Sequence, residues 1–273
     1  MDLGHVGVTQ FIYMGFMAFI GIVVPLVIAL IWKFKKKERF TTILIGAATF
    51  MLFAILIEKP LQALVISLDH PVKRFLDATP VAWAFVVGLF PGIFEETGRL
   101  VAYKTVLRKR KNKETGISHG IGHGGVEVMY ILGSTFITYI VYGIMINNGT
   151  FESQVLSTAP GPEYLQQGLD LADQIVHMGL STCFLMLFER IFAALYHIGA
   201  SMLIFYACRD KEKFWFYPLA IILHTLIDFI AGLYLAKVIT NVWIAEAVLV
   251  LAGLGTFFGA YFFLYRRDKS TET

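Results

Sequence analysis

The chain has 273 residues, of which 57% are hydrophobic and only 16% are charged. Apolar runs of more than about 18 residues recur along it, which excludes an ordinary soluble domain and indicates a polytopic membrane protein. The formal net charge of +3 does not indicate nucleic-acid binding, because the cations lie in short clusters between the apolar runs.

Seven apolar runs reach the length of about 20 residues that a helix needs to cross a membrane. These runs are Val8–Trp32, Phe40–Leu64, Val81–Leu107, Ile117–Ile146, Leu180–Ala207, Phe214–Ala236 and Val242–Tyr265. We therefore predict an all-α transmembrane bundle of about seven spans that forms a single membrane domain over residues 1–273. Met1–Gly7 lacks the basic region and the cleavage site of a signal peptide, so the first run is expected to remain as a span.

Lysine and arginine are concentrated in every second connection between these runs. Four clusters hold 17 of the 23 cations: Lys33–Arg39, Lys104–Lys113, Arg209–Lys213 and Arg266–Lys269. Basic connections are retained in the cytoplasm during insertion. The alternation therefore predicts an external N-terminus, a cytoplasmic C-terminus and an odd number of spans.

The stretch Gly92–Arg99 places two glutamates and an arginine near the middle of the third run. Ionisable groups at that depth cost roughly 2.5–3.5 kcal/mol each and usually serve a site. Glu95 and Glu96 lie four and three residues before Arg99, so either carboxylate can pair with the guanidinium. One acid can then be held charged while the other exchanges protons. The alternative is an ion pair that only neutralises itself, which accounts for one glutamate but not for the second.

The fourth run begins with Gly120-Ile-Gly-His-Gly-Gly-Val-Glu127. His123 and Glu127 are four residues apart and share a helical face, and the glycines allow a neighbouring helix to approach closely. Glu127 lies deeper in the run and is predicted to belong to the site. His123 is a candidate for a supporting role, and the alternative is a hydrated histidine near the basic end of the run.

The fifth run carries Glu189 and Arg190, followed by His197 two helical turns later. Arg190 and His197 share a face, so Arg190 can neutralise a carboxylate of another helix while His197 reaches a cavity. Glu189 is expected to point in a different direction from Arg190 and to support the site. The alternative for His197 is a histidine whose hydrogen bonds are simply satisfied within the membrane.

The sixth run contains His224 and Asp228, and the carboxylate one turn away can orient the imidazole or act beside it as a ligand. Polar groups from four runs fall within roughly 8 Å of the bilayer midplane when each run is centred there: Glu95, Glu127, His197 and His224. We therefore predict that these side chains converge on a wet pocket inside the membrane, within a catalytic core at residues 81–236.

These motifs resemble, in the same order, those of the YhfC family of intramembrane peptidases. More distantly they are similar to the PrsW proteases and to the CAAX-processing and bacteriocin-processing membrane proteases. The motifs are Phe-Glu-Glu-Thr-Gly-Arg99, Gly-Gly-Val-Glu127, Glu-Arg-Ile-Phe-Ala-Ala-Leu-Tyr-His197 and His-Thr-Leu-Ile-Asp228. The resemblance covers the third to the sixth run, about half of the chain.

The resemblance implies hydrolysis of peptide bonds inside a bacterial plasma membrane by a glutamate-activated water. Glu95, with Glu96 beside it, would be the general base, and Arg99 would be its electrostatic partner. The implied partners are membrane lipid and a peptide or membrane-protein substrate, and nucleic acid is not among them. The CAAX-type pattern places three residues between the glutamate pair and the arginine, whereas this chain has two.

The same resemblance gives roles to the remaining members of the predicted site. His197 would orient the water or the base, and His224 with Asp228 would stabilise the oxyanion. Glu127 has a counterpart in the PrsW-like pattern. Asp228 stands where the CAAX-type pattern commonly has asparagine, and an aspartate donates to an oxyanion only when it is protonated.

The sequence leaves the presence of a metal ion open. No His-Glu-x-x-His motif occurs in the chain, but histidine and carboxylate ligands suit zinc. The candidate ligands are Glu127, His197 and His224, with His123 as a further possibility. The cofactor is therefore predicted to be either none or a divalent metal such as zinc.

Two other classes of function are compatible with the sequence. Buried glutamate, aspartate, histidine and arginine side chains also occur in proton- or ion-coupled transporters, which discontinuous helices and repeat symmetry would favour. The second alternative is a catalytically silent membrane scaffold, in which the motifs persist but water does not reach them.

Overall fold

The computed structural model describes residues 3–36 and 38–269, and within these ranges the chain is helical and contains no strand. The α-helices are α1 (Val8–Lys36), α2 (Phe40–Phe50), α3 (Lys59–Ser67), α4 (Pro71–Ala78), α5 (Pro80–Lys104), α6 (Glu114–Val128), α7 (Ser134–Asn147), α8 (Phe151–Gln154), α9 (Pro162–Val176), α10 (Leu180–Arg209), α11 (Phe216–Leu235) and α12 (Val242–Ala260). Three π-helical stretches continue helices without a break, at Met51–Glu58, Met129–Gly133 and Tyr261–Tyr265. The predicted all-α fold is confirmed.

Six helical segments of the described chain are long and apolar enough to cross a membrane. They are Val8–Lys36, Phe40–Ser67, Glu114–Asn147, Leu180–Arg209, Lys211–Leu235 and Val242–Tyr265. The pair α4 and α5, bent by 116° at its break, makes a seventh if it is counted as one span. These bounds agree with the predicted runs to within a few residues. The orientation of the termini stays a prediction, and Met1, Asp2 and Lys37 lie outside the described residues.

The chain divides into two compact units. The first comprises the chain up to Leu26 together with Val128–Arg190, and the second comprises Val27–Glu127 and the chain from Ile191 onwards. In the first unit, Met14 and Phe136 are fully buried in an apolar core. The expectation of a single membrane domain stays a prediction.

Glycines on α6 allow close helix contacts in the second unit. A Cβ atom at Gly122 would lie 1.8 Å from the carbonyl oxygen of Ile43 on α2. A Cβ atom at Gly120 would lie 2.5 Å from the Cα atom of Ile198 on α10. The close approach that the glycine spacing predicts is thus present on two sides of α6.

The helices α5 and α11 pack antiparallel, also through glycines. A Cβ atom at Gly88 would lie 2.5 Å from the backbone nitrogen of Phe229, and one at Gly92 would lie 2.3 Å from the Thr225 hydroxyl oxygen. Because the contacts are this close, the acidic motif of α5 and the histidine of α11 lie at the same level.

Contacts join the basic clusters at one end of the second unit, which we call the basic end. Arg110 donates to the hydroxyl of Thr41 at 2.7 Å. Lys113 donates to the carbonyl oxygen of Asp268 at 3.0 Å, and Arg209 pairs with the carboxylate of Asp268. Connections that the alternation of charge assigned to one side of the membrane therefore do meet in the fold.

Candidate active site

Three buried side chains from three helices converge in the second unit. Glu95 of α5, His197 of α10 and His224 of α11 each offer one donor atom, and these atoms all lie within 4.8 Å of one another. All three residues are at most 6% exposed. The structure therefore brings together groups that the sequence placed at one depth, while their catalytic roles stay predictions.

Arg99 connects the acidic motif of α5 with α10. Its side chain is fully buried, and its Nη1 atom donates to Glu96. Its Nη2 atom lies 2.5 Å from Nδ1 of His197 and 3.7 Å from Oε2 of Glu95. A guanidinium can only donate, so Nδ1 of His197 accepts and the ring carries its proton on Nε2. Arg99 therefore contacts three groups rather than one carboxylate, while its catalytic role stays a prediction.

Two side chains of α6 complete this arrangement. Nε2 of His197 lies against the carboxylate of Glu127. Nε2 of His123 lies 2.9 Å from Oε2 of Glu95. His123 is fully buried, so the alternative of a hydrated histidine is wrong. The close approach of α6 to α10 brings both residues to the site.

The donor set for a metal differs from the predicted one. The carboxylate whose donor atom lies close to those of His197 and His224 belongs to Glu95 and not to Glu127. Glu127 instead occupies the position beside Nε2 of His197. The reason is that Glu127 lies at Nε2 of the His197 ring, whereas Oε2 of Glu95 lies 3.9 Å from Nδ1 on the other side of the ring.

His224 lies between two carboxylates. Its Nδ1 atom is 2.9 Å from Oε1 of Glu96, and its Nε2 atom is 3.4 Å from Oδ2 of Asp228. The side chain of Asp228 is 33% exposed, whereas those of Glu96 and His224 are at most 5% exposed. Asp228 therefore marks the edge at which the site meets its surroundings, and it stands where it can orient the imidazole.

The structure places Glu189 and Arg190 in the first unit, where Nη2 of Arg190 donates to the Glu189 carboxylate. The expectation that these neighbours point in different directions is wrong, because both side chains are long enough to curl around the helix and meet. Their predicted support of the site stays a prediction.

Sequence reasoning missed Glu58, which ends the π-helical stretch Met51–Glu58. Its side chain is fully buried, and its Oε1 atom lies 3.2 Å from Nζ of Lys59. Its Oε2 atom has no hydrogen-bond partner among the described residues. A glutamate inside an apolar run could have indicated this residue from the sequence. Because Lys59 adjoins it, however, Glu58 resembled one half of an ion pair at the membrane interface.

Two contacts show which part of α5 lies beside Glu58. A Cβ atom at Gly98 would lie 2.6 Å from the ring of Phe53, and Gln62 donates to the carbonyl oxygen of Val87 at 3.1 Å. Glu58 lies between Phe53 and Gln62 in sequence. It therefore lies beside the part of α5 that carries the acidic motif.

His119 was not assigned to the site, and the structure shows that it begins a row of buried imidazoles. Its Nδ1 and Nε2 atoms lie 3.2 Å from the Ser201 hydroxyl and 3.3 Å from the Thr49 hydroxyl. The ring centroids of His119 and His123 are 6.2 Å apart, and those of His123 and His197 are 5.1 Å apart. The centroids of His197 and His224 are 5.4 Å apart. The row leads from the catalytic candidates toward the basic end.

Comparison with known proteins connects this geometry to a family. A family model described as YhfC intramembrane metalloprotease matches residues 20–249. The membrane protein YhfC of Bacillus subtilis (strain 168) is 31% identical over 226 residues, which cover 82% of this chain and 85% of that protein. No solved structure matches the chain. The matched range contains every residue of the site described above.

Proposed function

The chain belongs to the YhfC intramembrane metalloprotease family, and we propose that it hydrolyses peptide bonds of a peptide or membrane-protein substrate with a water that Glu95 activates. The observation that carries the proposal is the buried convergence of Glu95, His197 and His224. Ionisable groups are expensive inside a membrane, so such a cluster is expected to serve chemistry.

Amide hydrolysis needs a base for water, a positive group near the oxyanion and a proton donor for the leaving amine. Glu95 is suited to be the base, because its Oε2 atom is held by His123 at 2.9 Å and faces Arg99 at 3.7 Å. Arg99 cannot exchange its proton in this role. Its fixed charge instead stabilises negative charge as it develops beside Glu95.

His224 is suited to donate protons. Glu96 holds its Nδ1 atom at 2.9 Å, which leaves Nε2 for a substrate that enters at the exposed edge beside Asp228. The carboxylate of Asp228 then orients this nitrogen and does not itself donate to the oxyanion. His197, held between Arg99 and Glu127, positions the guanidinium and the water.

The side chains present fit a divalent metal ion, as the family description requires. Two imidazoles and a carboxylate with donor atoms within 4.8 Å of one another form a ligand set typical of catalytic zinc. Glu96 and Glu127 stand beside His224 and His197, as the outer partners of zinc-bound histidines do. A metal held by Glu95, His197 and His224 would need a ring nitrogen of His197 that otherwise contacts Arg99 or Glu127, and in place of Arg99 and His224 it would polarise the substrate carbonyl and acidify water.

Metal content tests this ligand set independently of activity. We expect elemental analysis of the purified protein to find a divalent metal that is lost in His197→Ala and in His224→Ala. His119→Ala removes an equally buried imidazole and should retain the metal. Retention in Glu95→Gln would leave Glu95 free to act as the base, and loss would make it a ligand. Retention in both histidine variants would remove this ligand set.

Hydrolysis is tested in proteoliposomes with a library of hydrophobic peptides carrying quenched fluorophores, and the new termini are identified by mass spectrometry. Glu95→Gln should reduce cleavage by at least about 100-fold, the lower range of a lost general base. Glu246→Gln removes another buried carboxylate, on α12, and should cleave like the wild type. Undiminished cleavage by Glu95→Gln would refute the proposal. Proton flux without any cleavage would favour a transporter.

A further inference from the structure

The basic end of the second unit contains a cavity of about 510 Å³. It is lined by Arg39, Thr105, Val106, Arg108, Lys109 and Arg110. The cavity lies where α2 begins and where the chain leaves α5. It is therefore at the level of the lipid headgroups if these helices cross the bilayer.

The wall of this cavity is an ordered turn. The backbone nitrogen of Leu107 donates to the carbonyl oxygen of Ala102 at 2.9 Å, and that of Arg110 donates to Leu107 at 2.8 Å. The side chain of Leu107 is 1% exposed and anchors the turn in the core. The three cations that follow Leu107, Arg108, Lys109 and Arg110, are thus presented by a fixed backbone.

The charges in the cavity are not neutralised by the protein. None of its four cations forms an ion pair with a carboxylate in the described part of the chain. The neighbouring acid, Glu38, is 3% exposed and accepts from the Thr42 hydroxyl at 3.0 Å and from the Asn112 amide at 2.9 Å. Arg110 donates to threonine hydroxyls. Three arginines and a lysine therefore repel one another around a concave space.

We propose that this cavity binds the phosphate of an anionic phospholipid headgroup. Arginine forks match phosphate oxygens, and a phosphate would relieve the repulsion among the cations. Val106 is 67% exposed and adds an apolar side chain to the wall, which suits the glycerol and first methylenes of a lipid better than a free phosphate. Basic pockets at the cytoplasmic ends of spans are known to favour such headgroups. Lipid binding at this cavity does not depend on the proposed hydrolysis.

The test compares nanodiscs of phosphatidylcholine with and without phosphatidylglycerol, and retained lipid is measured by native mass spectrometry. The variant combines Arg39→Gln, Arg108→Gln and Lys109→Gln, and it keeps Arg110 because that residue contacts Thr41. The matched control removes three cations beyond α12 through Arg266→Gln, Arg267→Gln and Lys269→Gln. We expect the first variant to lose phosphatidylglycerol affinity at least about tenfold and the control to change less than about twofold.

Unfolding temperatures of both variants in detergent establish that each is folded. An equal loss of lipid in the two variants would show general attraction to the membrane surface and would overturn the inference. Inorganic phosphate serves as the competing probe. If it displaces phosphatidylglycerol at sub-millimolar concentration, the cavity is a site for soluble phosphate and the lipid assignment is wrong.

Discussion

Arg99 is fully buried and divides its two terminal nitrogens between Glu96 and His197. The sequence spacing predicted its pairing with either glutamate. It did not predict the contact with His197, because a helical repeat carries no information on which neighbouring helix a long side chain will meet. The tautomer of His197 follows from that contact and was likewise beyond sequence reasoning.

We expect Arg99→Leu to lower the free energy of unfolding by about 3–5 kcal/mol, because the buried carboxylate of Glu96 loses its cation and keeps only the imidazole of His224. Adding Glu96→Leu should recover part of that loss, since the uncompensated charge is removed with it. Thermal unfolding in detergent measures both effects, with the exposed Arg267→Leu as a control expected to stay within about 0.5 kcal/mol. A double variant whose losses simply add would contradict the coupling.

Glu58 offers a test in which stability and activity move in opposite directions. Its Oε1 atom pairs with Lys59, but its buried Oε2 atom has no hydrogen-bond partner among the described residues, and that unsatisfied oxygen is a cost to folding. Glu58→Gln should raise the free energy of unfolding by about 1 kcal/mol and should lower cleavage if the charge serves the site. Calorimetry in detergent and the peptide library measure the two effects. A lower unfolding temperature would show that the carboxylate is satisfied.

At the scale of the elements, glycine residues determine where helices pack closely against one another. The Gly-rich start of α6 could be read from the sequence as a surface for close packing, and it packs on α2 and α10 as expected. The π-helical stretch Met51–Glu58 could not be predicted, because it keeps the apolar composition of a span. It shifts the face of the helix on which Glu58 lies.

Gly122→Ala should separate α2 from α6. The new Cβ atom would lie 1.8 Å from a backbone oxygen of Ile43, which a rotamer change cannot relieve. We expect a loss of about 1–3 kcal/mol in the free energy of unfolding. Gly259→Ala, on α12 with nothing within 4 Å, should instead stabilise by roughly 0.5–1 kcal/mol. Denaturation in mixed micelles measures both variants, and equal effects would show that the α2–α6 contact is loose.

At the scale of the whole molecule, the convergence of the site could be predicted because charges in a membrane must face one another rather than lipid. Glu95, His197 and His224 follow that rule. What could not be predicted is which carboxylate joins the two imidazoles. That choice depends on how far neighbouring helices are shifted along their axes, by as little as a few ångströms. The lengths of the apolar runs do not determine such small shifts.

The number of spans is decided by α5, whose two glutamates and arginine make it less apolar than the other long helices. Arg110, just beyond α5, donates to Thr41 at the start of α2. The chain therefore returns to the end from which α2 departs, and α5 must cross the membrane if Phe40–Ser67 does. The antiparallel packing of α5 on α11 requires the same. We accordingly expect seven spans.

Single cysteines in a Cys183→Ser, Cys208→Ser background test this topology with an impermeant maleimide. Lys36→Cys and Lys109→Cys should react only after the cells are opened, because both flank basic connections retained in the cytoplasm. Thr240→Cys should react in intact cells. With six spans, α5 would not cross, and the cysteines at positions 36 and 109 would label from opposite sides. That result would also separate the two walls of the basic cavity, so the arrangement of Arg39 beside Arg108 depends on the same crossing.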